Sequence, residues 1–413
     1  MKYIWRNKIL LVVIILVVAL FPNIIALPQQ SRTENIITAM GIDKNEDGYE
    51  VFIQYVVPYA KSEKDTLKIM SGKGATVGEA IEDMDTDYGK NSGFAHCRAL
   101  IFNDKACEEN LTDVLDYLLR IKTNTSDILL VNTKDSAGKV LESVTSLDNE
   151  FYTIVNSNSI ANEQRKYQDL KSIGDYYNAE FGKAKSIAIN VIDLEQKSNE
   201  QSDSSQSSGA QGNNASGGAQ SSTNEQTQSQ AQRIKNDNEL AIIKDGKKIA
   251  NLSKEQSEHL AWFDNAIKEA HIQVKNFTDE VYKNANINFY AYNKNGSISV
   301  DFVDGLPTYT FNLKVYLRTA QILQNGTAVK IYEVDKKKWS NELKSEIAKS
   351  IKEELLLAEQ DFKAKDYDVV RCNEFFYKFH PYKYKDYTNA LPVEDSFIRN
   401  VKFVYNVQVV QRL

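Results

Sequence analysis

One stretch of this chain cannot contribute to a core, and it decides where a core can form. Residues Gln196–Gln232 number 37, of which ten are Ser and nine are Gln, with no aromatic residue, Leu, Ile or Val. Such a segment buries too little apolar surface to offset its own ordering. As a flexible coil it spans about 30–35 Å r.m.s.. It sits between two apolar strand-like stretches, Ser186–Ile192 and Leu240–Ile243. It reads as a disordered insertion in one small domain or a tether between two, so the folded body has to be assembled from the residues on either side.

Those residues suffice. The chain has 413 residues, 42% hydrophobic and 26% charged, a normal balance for a globular protein with a core. Its length allows roughly two or three domains. Six prolines and 18 glycines exclude collagen-like and Pro-rich architectures. A net charge of -6 leaves no basic footprint for nucleic acid. Three cysteines exclude a disulfide scaffold, and four histidines leave little material for metal or acid–base chemistry.

The first residues bear on compartment. Lys2, Arg6 and Lys8 precede an uncharged run, Ile9–Phe21, and apolar character resumes at Ile24 and continues to Leu27. The thirteen-residue run fits the apolar region of a secretory signal. Taken together, Ile9–Leu27 is 19 residues, close to the ~20 needed to cross a bilayer as a helix. Ile24 and Pro28 make a poor cleavage site, which favours an uncleaved anchor. The basic flank would stay cytoplasmic and the body after Leu27 would lie outside.

Alternation of apolar residues predicts strands at Asn35–Ile42 and Tyr49–Val57, joined by an Asp47-Gly48 turn. Thr76 and Glu79 predict a capped helix with Val77, Ile81, Met84 and Tyr88 on one face. Then come a strand at Ala99–Phe102, an amphipathic helix carrying Leu111, Val114, Leu115, Leu118 and Leu119, and a strand at Asp127–Asn132. This strand–helix–strand run indicates an α/β unit. A further helix is expected at Ala137–Val144. In the last third, Ile287, Phe289 and Ala291 alternate before Asn295-Gly296, where a hairpin turn is expected, and Ile298, Val300 and Phe302 answer beyond it. Phe311 to Leu317 alternate again. A long helix at Ser340–Lys365 points Leu343, Ile347, Ile351, Leu355 and Phe362 to the core, and Val401 to Val409 end the chain in period two. An antiparallel sheet packed on one long helix follows.

Motifs for chemistry are scarce. Gly72-Lys-Gly74-Ala-Thr-Val-Gly78 is a weak match to a phosphate loop, since it lacks the last required glycine. It reads more simply as a loop feeding a helix. The chain has no G-x-S-x-G, H-E-x-x-H or C-x-x-C motif. His96 and Cys97 are adjacent, but neighbouring strand residues point to opposite faces. Cys97, Cys107 and Cys372 lack metal-type spacing and read as free thiols; His259, His271 and His380 read as surface or packing residues. Arg120 ends its helix as a cation at the C-terminus, or else contacts a partner. Phe375, Phe376, Tyr377, Phe379, Tyr382, Tyr384 and Tyr387 either cap the C-terminal core or form an exposed patch. No catalytic, cofactor-binding or metal-binding residue is expected, and the chain reads as a non-enzyme.

Several segments in order resemble one family. Gly93-Phe-Ala-His96-Cys-Arg-Ala-Leu-Ile-Phe-Asn, Tyr117-Leu-Leu-Arg120 and Asp127-Ile-Leu-Leu-Val-Asn are similar to the Ger(x)C family, the C subunits of spore germinant receptors. Thr38-Ala-Met-Gly41-Ile-Asp43-Lys44 resembles its opening strand, and Ser71-Gly-Lys-Gly74-Ala-Thr76 its first helix start. Ile243-Lys-Asp-Gly246-Lys-Lys-Ile249 resembles its central segment, and Glu354 to Asp366 with His380-Pro381 its terminal helix. The resemblance implies a membrane-attached, extracytoplasmic, non-enzymatic protein without a cofactor. It would work with two integral-membrane subunits (A and B type) in nutrient-triggered germination. It also implies three mixed α/β domains, so an α+β fold is expected: an anchor or signal at 1–28, an α/β domain at 33–150, a small middle domain at 151–265 and an α+β domain at 270–413. Family members usually carry a lipidated Cys before the opening motif; Ile25–Gln29 has none, so a protein helix would replace the acyl anchor. Outside the family, the alternative is a tethered envelope sensor or adhesion module.

Overall fold

The computed structural model describes residues 35–56, 67–88, 92–93, 96–120, 126–144, 170–195, 234–264, 270–330 and 338–412. The expected anchor at 1–28 and the run Gln196–Gln232 lie outside them. Among the described residues, ten α-helices and two main sheets make a mixed α+β fold.

The first sheet begins with β1 (Asn35–Lys44) and β2 (Tyr49–Val56), an antiparallel pair around Asn45–Gly48. The Asn45 amide donates to the Gly48 carbonyl at 2.9 Å. Next come β3 (Leu67–Gly74), α1 (Val77–Tyr88), β4 (Ala99–Asn103), the short α2 (Asp104–Glu108) and α3 (Leu111–Arg120). They are followed by β5 (Leu129–Thr133), α4 (Ala137–Glu142), α5 (Ile173–Glu180) and β6 (Ser186–Val191). After the Ser/Gln run come β7 (Leu240–Lys244), β8 (Lys247–Leu252) and α6 (Lys254–Leu260). The spatial order is β8-β7-β6-β5-β4-β1-β2-β3, with Ser92–Gly93 also beside β1. Strands β1, β4, β5 and β6 run parallel, and the pairs flanking them are antiparallel. Residues 186–252, within the expected middle segment, thus hydrogen-bond into the same sheet as the strands of 33–150. A two-residue ladder, Asp193–Leu194 with Ile234–Lys235, pairs the ends of the chain that flank the Ser/Gln run.

The centre of this sheet is covered on both faces, which is why its strands lack a polar side. Met40, Ile42, Leu100 and Phe102 face one apolar cluster with α1 and α3, whereas Ala39, Ile101 and Val131 face another with α4. Parallel strands in this position are expected to be apolar throughout.

The glycine-rich stretch has a packing role. A Cβ on Gly72 would lie 2.2 Å from the Ala80 carbonyl oxygen, and one on Gly74 would lie 2.5 Å from the Glu79 Cβ. The glycines let α1 lie against β3. Thr76 Oγ1 accepts from the Glu79 amide at 3.2 Å, and Glu79 Oε2 accepts from the Ala75 amide at 2.9 Å. The expected cap is present, with its carboxylate one residue further out than in the standard capping box.

The second sheet contains β9 (Ala270–Phe277), β10 (Ala285–Val303) and β11 (Leu306–Gln324). The turn expected at Asn295-Gly296 is not there: β10 runs through it, pairing Asn295 with Lys314, and the chain reverses at Asp304-Gly305 instead. Both turn residues have positive φ, 52° and 80°, the geometry that Asp-Gly supplies to a two-residue hairpin. The apolar register changes parity within β10, from Ile287, Phe289 and Ala291 to Ile298, Val300 and Phe302. A bulge between Ala291 and Asn293 absorbs that change without breaking the strand.

α7 (Asn341–Ala364) packs on this sheet with Leu343, Ile347, Ile351, Leu355, Ala358 and Phe362 buried, as its periodicity predicts. After it come α8 (Cys372–Phe379), α9 (Pro381–Ala390), α10 (Phe397–Asn400) and β12 (Lys402–Gln411). The sheet is not wholly antiparallel, as the alternation had suggested: β12 pairs with β11 in parallel, from Thr308↔Lys402 to Leu317↔Gln411. The helical excursion from α7 to α10 returns the chain to the start of β11, the long crossover that a parallel pair needs.

Asp368 holds the turn between α7 and α8. Its carboxylate accepts from the Cys372 and Asn373 amides, each at 2.7 Å, and from Asn373 Nδ2 at 2.8 Å. Burial pushes this carboxyl up to about 6, against the pull of those donors.

Gly72→Ala forces α1 away from β3 and costs about 1–3 kcal/mol in a denaturant titration. For Asp368, the folded state holds the proton more tightly than the unfolded chain, whose ordinary value is ~3.9. Its contribution to stability is therefore full below about 4 and is lost as pH rises to about 6. Asp368→Asn keeps one acceptor oxygen for the two Asn373 donors but turns the other into a donor facing the Cys372 amide, costs about 1–3 kcal/mol at pH 7, and flattens that fall when stability is measured against pH.

Candidate functional site

The residues singled out in the sequence do not converge. Cys97 is buried and its thiol donates to the Ala99 carbonyl at 3.5 Å, whereas His96 beside it is exposed. Burial pushes the Cys97 thiol up to about 12. Cys107, in contact with Asn132 Nδ2 at 3.5 Å, is also raised to about 12 by burial, and Cys372 is raised as well. All three are free and buried, and thiols so protonated are poor nucleophiles. His271 stacks edge-on against Tyr290, and His380 Nε2 lies 2.9 Å from the Val300 carbonyl oxygen. Among the described residues, no group of three or more His, Cys, Asp and Glu is placed to hold a metal ion. Arg120 forms an exposed pair with Asp116 one turn back, at 2.8 Å.

The aromatic cluster divides. Phe376 is buried against Phe302 and Phe397, with Tyr384 and Tyr387 also on Phe397, closing the C-terminal core. Tyr377, Phe379 and Tyr382 of the same segment stand in solvent. Both readings of this cluster therefore apply, each to different residues.

Among the described residues, a cleft lies where the first sheet meets the second. Its volume is about 320 Å³. One wall comes from α5 and the start of β6, with Ala179, Ser186 and Ile187. The opposite wall is Ile298 of β10, Tyr309 of β11 and the turn Val369–Arg371. α6 and the helical turn Ala261–Phe263 after it form the end, with Ser257, Leu260 and Phe263. No sequence signal marks the cleft, because its lining is drawn from positions 171 to 375 and consists of ordinary core and surface types.

The joint beside the cleft is polar and closely fitted. Lys244 Nζ donates to both the carbonyl and the carboxylate of Asp366, each at 2.7 Å. Gln256 Nε2 reaches Asp361 Oδ1 at 2.6 Å. The Trp262 indole donates to Glu354, and the buried Lys294 ammonium donates to the Ala261 carbonyl and lies 5.6 Å from the Trp262 ring centre. Lys294 faces inward because the β10 bulge precedes it.

Two family models match the chain. One, described as spore germination protein N-terminal domain, matches residues 31–194. The other, described as spore germination B3/GerAC like, C-terminal, matches residues 238–410. No curated protein matches. A solved structure, "Crystal Structure of the GerBC protein", is similar at 16% identity and a TM-score of 0.49, covering 92% of this chain and 99% of that one. Between the two matched stretches lie only residues 195–237, which hold the Ser/Gln run. The two domains in that order make this chain a member of the Ger(x)C family of spore germination proteins.

Proposed function

We propose that this protein acts as the C subunit of a spore germinant receptor, as a non-enzymatic scaffold for two integral-membrane subunits, during nutrient-triggered germination. The observation that carries this reading is the ordered pair of family domains, 31–194 and 238–410, directly after the apolar run Ile9–Leu27. That run, with Lys2, Arg6 and Lys8 before it, would hold the folded body on the outer face of a membrane. Among the described residues, no helix is long and apolar enough to span a bilayer; the anchoring role is assigned to residues 1–28, outside them. A scaffolding role agrees with the buried state of all three thiols and with the dispersal of the histidines.

The test is genetic. Spores lacking the gene should respond to at least one nutrient more slowly than wild type, and the full-length gene should restore the response. Removing residues 1–28 should abolish that rescue. Mutant spores that germinate like wild type on every nutrient, in a strain with no second copy, would contradict the proposal.

A further inference from the structure

We infer that one face of the folded body, made by Phe181, Lys183 and the exposed sides of α8 and α9, seats on the surface of an anionic lipid bilayer. The inference rests on the anchoring role proposed for residues 1–28, and its test separates the two.

The side chains of this face are those of a membrane–water interface. Tyr382, Phe379 and Tyr377 are 84%, 58% and 48% exposed. α9 has no buried residue. Residues 377–385 carry three exposed lysines, Lys378, Lys383 and Lys385, and no Asp or Glu, in a chain whose net charge is -6. The carboxylate just before them, Glu374, is held by Arg371 at 2.7 Å. The face continues onto the first sheet's side of the molecule. Phe181 follows α5, is 71% exposed, and stacks on Tyr177 with ring centres 5.5 Å apart. Two residues on, Lys183 Nζ lies 4.7 Å from the centre of the Tyr377 ring, which sets the two segments side by side. Single exposed rings are ordinary, but four rings and four lysines on two adjoining segments are a patch. Rings of this kind enter the headgroup zone while Tyr and Lys keep their polar ends wet, and lysines are drawn to anionic headgroups. The net charge of the whole chain opposes that approach, so a local basic face fixes which side meets the lipid.

Topology brings this face to the end of the body where the apolar run joins it. Strands β1, β4, β5 and β6 are parallel and so begin at one edge of the first sheet. The registers Ala39↔Ala99, Ala99↔Leu129 and Val131↔Asn190 set Ser186, the start of β6, about level with Ile37. Phe181 and Lys183 therefore stand at the edge where β1 begins, three strand spacings or about 14 Å away across the sheet. Asn35 opens β1, and seven residues, 28–34, separate it from Leu27. Seven residues reach at most about 25 Å. A bilayer entered at Leu27 is thus within reach of the edge that carries the face.

The test places a probe on the face and another at the opposite end of β1, about 30 Å away. Cys97, Cys107 and Cys372 are buried, so a thiol-reactive fluorophore reports an introduced cysteine. Tyr382→Cys marks the face, and Glu46→Cys marks the exposed turn between β1 and β2. The full-length chain is reconstituted in vesicles of equal parts phosphatidylglycerol and phosphatidylcholine, with nitroxide lipids as quencher. The probe at 382 should be quenched at least about threefold more than the probe at 46. That difference should shrink at least about twofold in phosphatidylcholine alone, and also when Lys378→Glu, Lys383→Glu and Lys385→Glu are combined. Equal quenching at 382 and 46 overturns the inference and leaves the face to a protein partner. A difference that survives unchanged in phosphatidylcholine alone overturns it too, and this arm needs no lysine variant to fold. A chain that resists alkaline carbonate extraction yet stays unquenched at 382 keeps the anchor and refutes the face. One that carbonate removes, but that is quenched at 382 beforehand, keeps the face and refutes the anchor. Failure to bind these vesicles at all refutes both.

Discussion

The structure depends on one strand that serves two cores. β7 alternates along its length: Leu240 and Ile242 belong to the C-terminal core, and Ala241 and Ile243 to the core of the first sheet. Since side chains on a strand alternate between faces, a register slip of one residue would exchange both sets at once. β7 also carries Lys244, whose ammonium fastens the strand to Asp366 beyond α7. The two halves of the chain are thus joined by apolar packing along one strand and by a polar clasp at its end.

This arrangement explains how the Ser/Gln run is accommodated. The run separates β6 from β7, yet those strands pair along Ser186–Asn190 and Leu240–Lys244. The Asp193–Leu194 ladder with Ile234–Lys235 brings its two ends together before the chain enters β7. Closure entropy grows only slowly with loop length, so a long insertion at a paired position costs little more than a short one. The place where sequence composition departs most from globular norms is a place the sheet can tolerate.

Local periodicity made most of the elements legible. The α7 core positions follow directly from a 3.6-residue repeat, and Asp245-Gly246 turns between β7 and β8 with both residues at positive φ. What escaped depends on long-range geometry. Asn295-Gly296 has good turn chemistry, but its partner strand continues past it and Asp304-Gly305 takes the turn. Strict alternation in β12 fits a parallel or an antiparallel neighbour equally well, so its direction was not readable. The glycine run was legible as a helix entry, whereas the contact that demands glycine, Ala80 against Gly72, becomes visible only once α1 lies on β3. The cleft left no trace in the sequence, because its lining is drawn from positions 171 to 375 and comes together only in the fold.

The two family domains and the two sheets meet at one fitted joint. The chain's thiols are buried, Lys244 and Lys294 are engaged at the joint, and its exposed aromatics Tyr377, Phe379 and Tyr382 lie beyond the closed part of the C-terminal core. The most direct test is purification of the tagged full-length chain from spore membranes in mild detergent. The account predicts that two polytopic proteins accompany it in fixed ratio. Recovery of the chain alone, from membranes in which both candidate subunits are present, would contradict it.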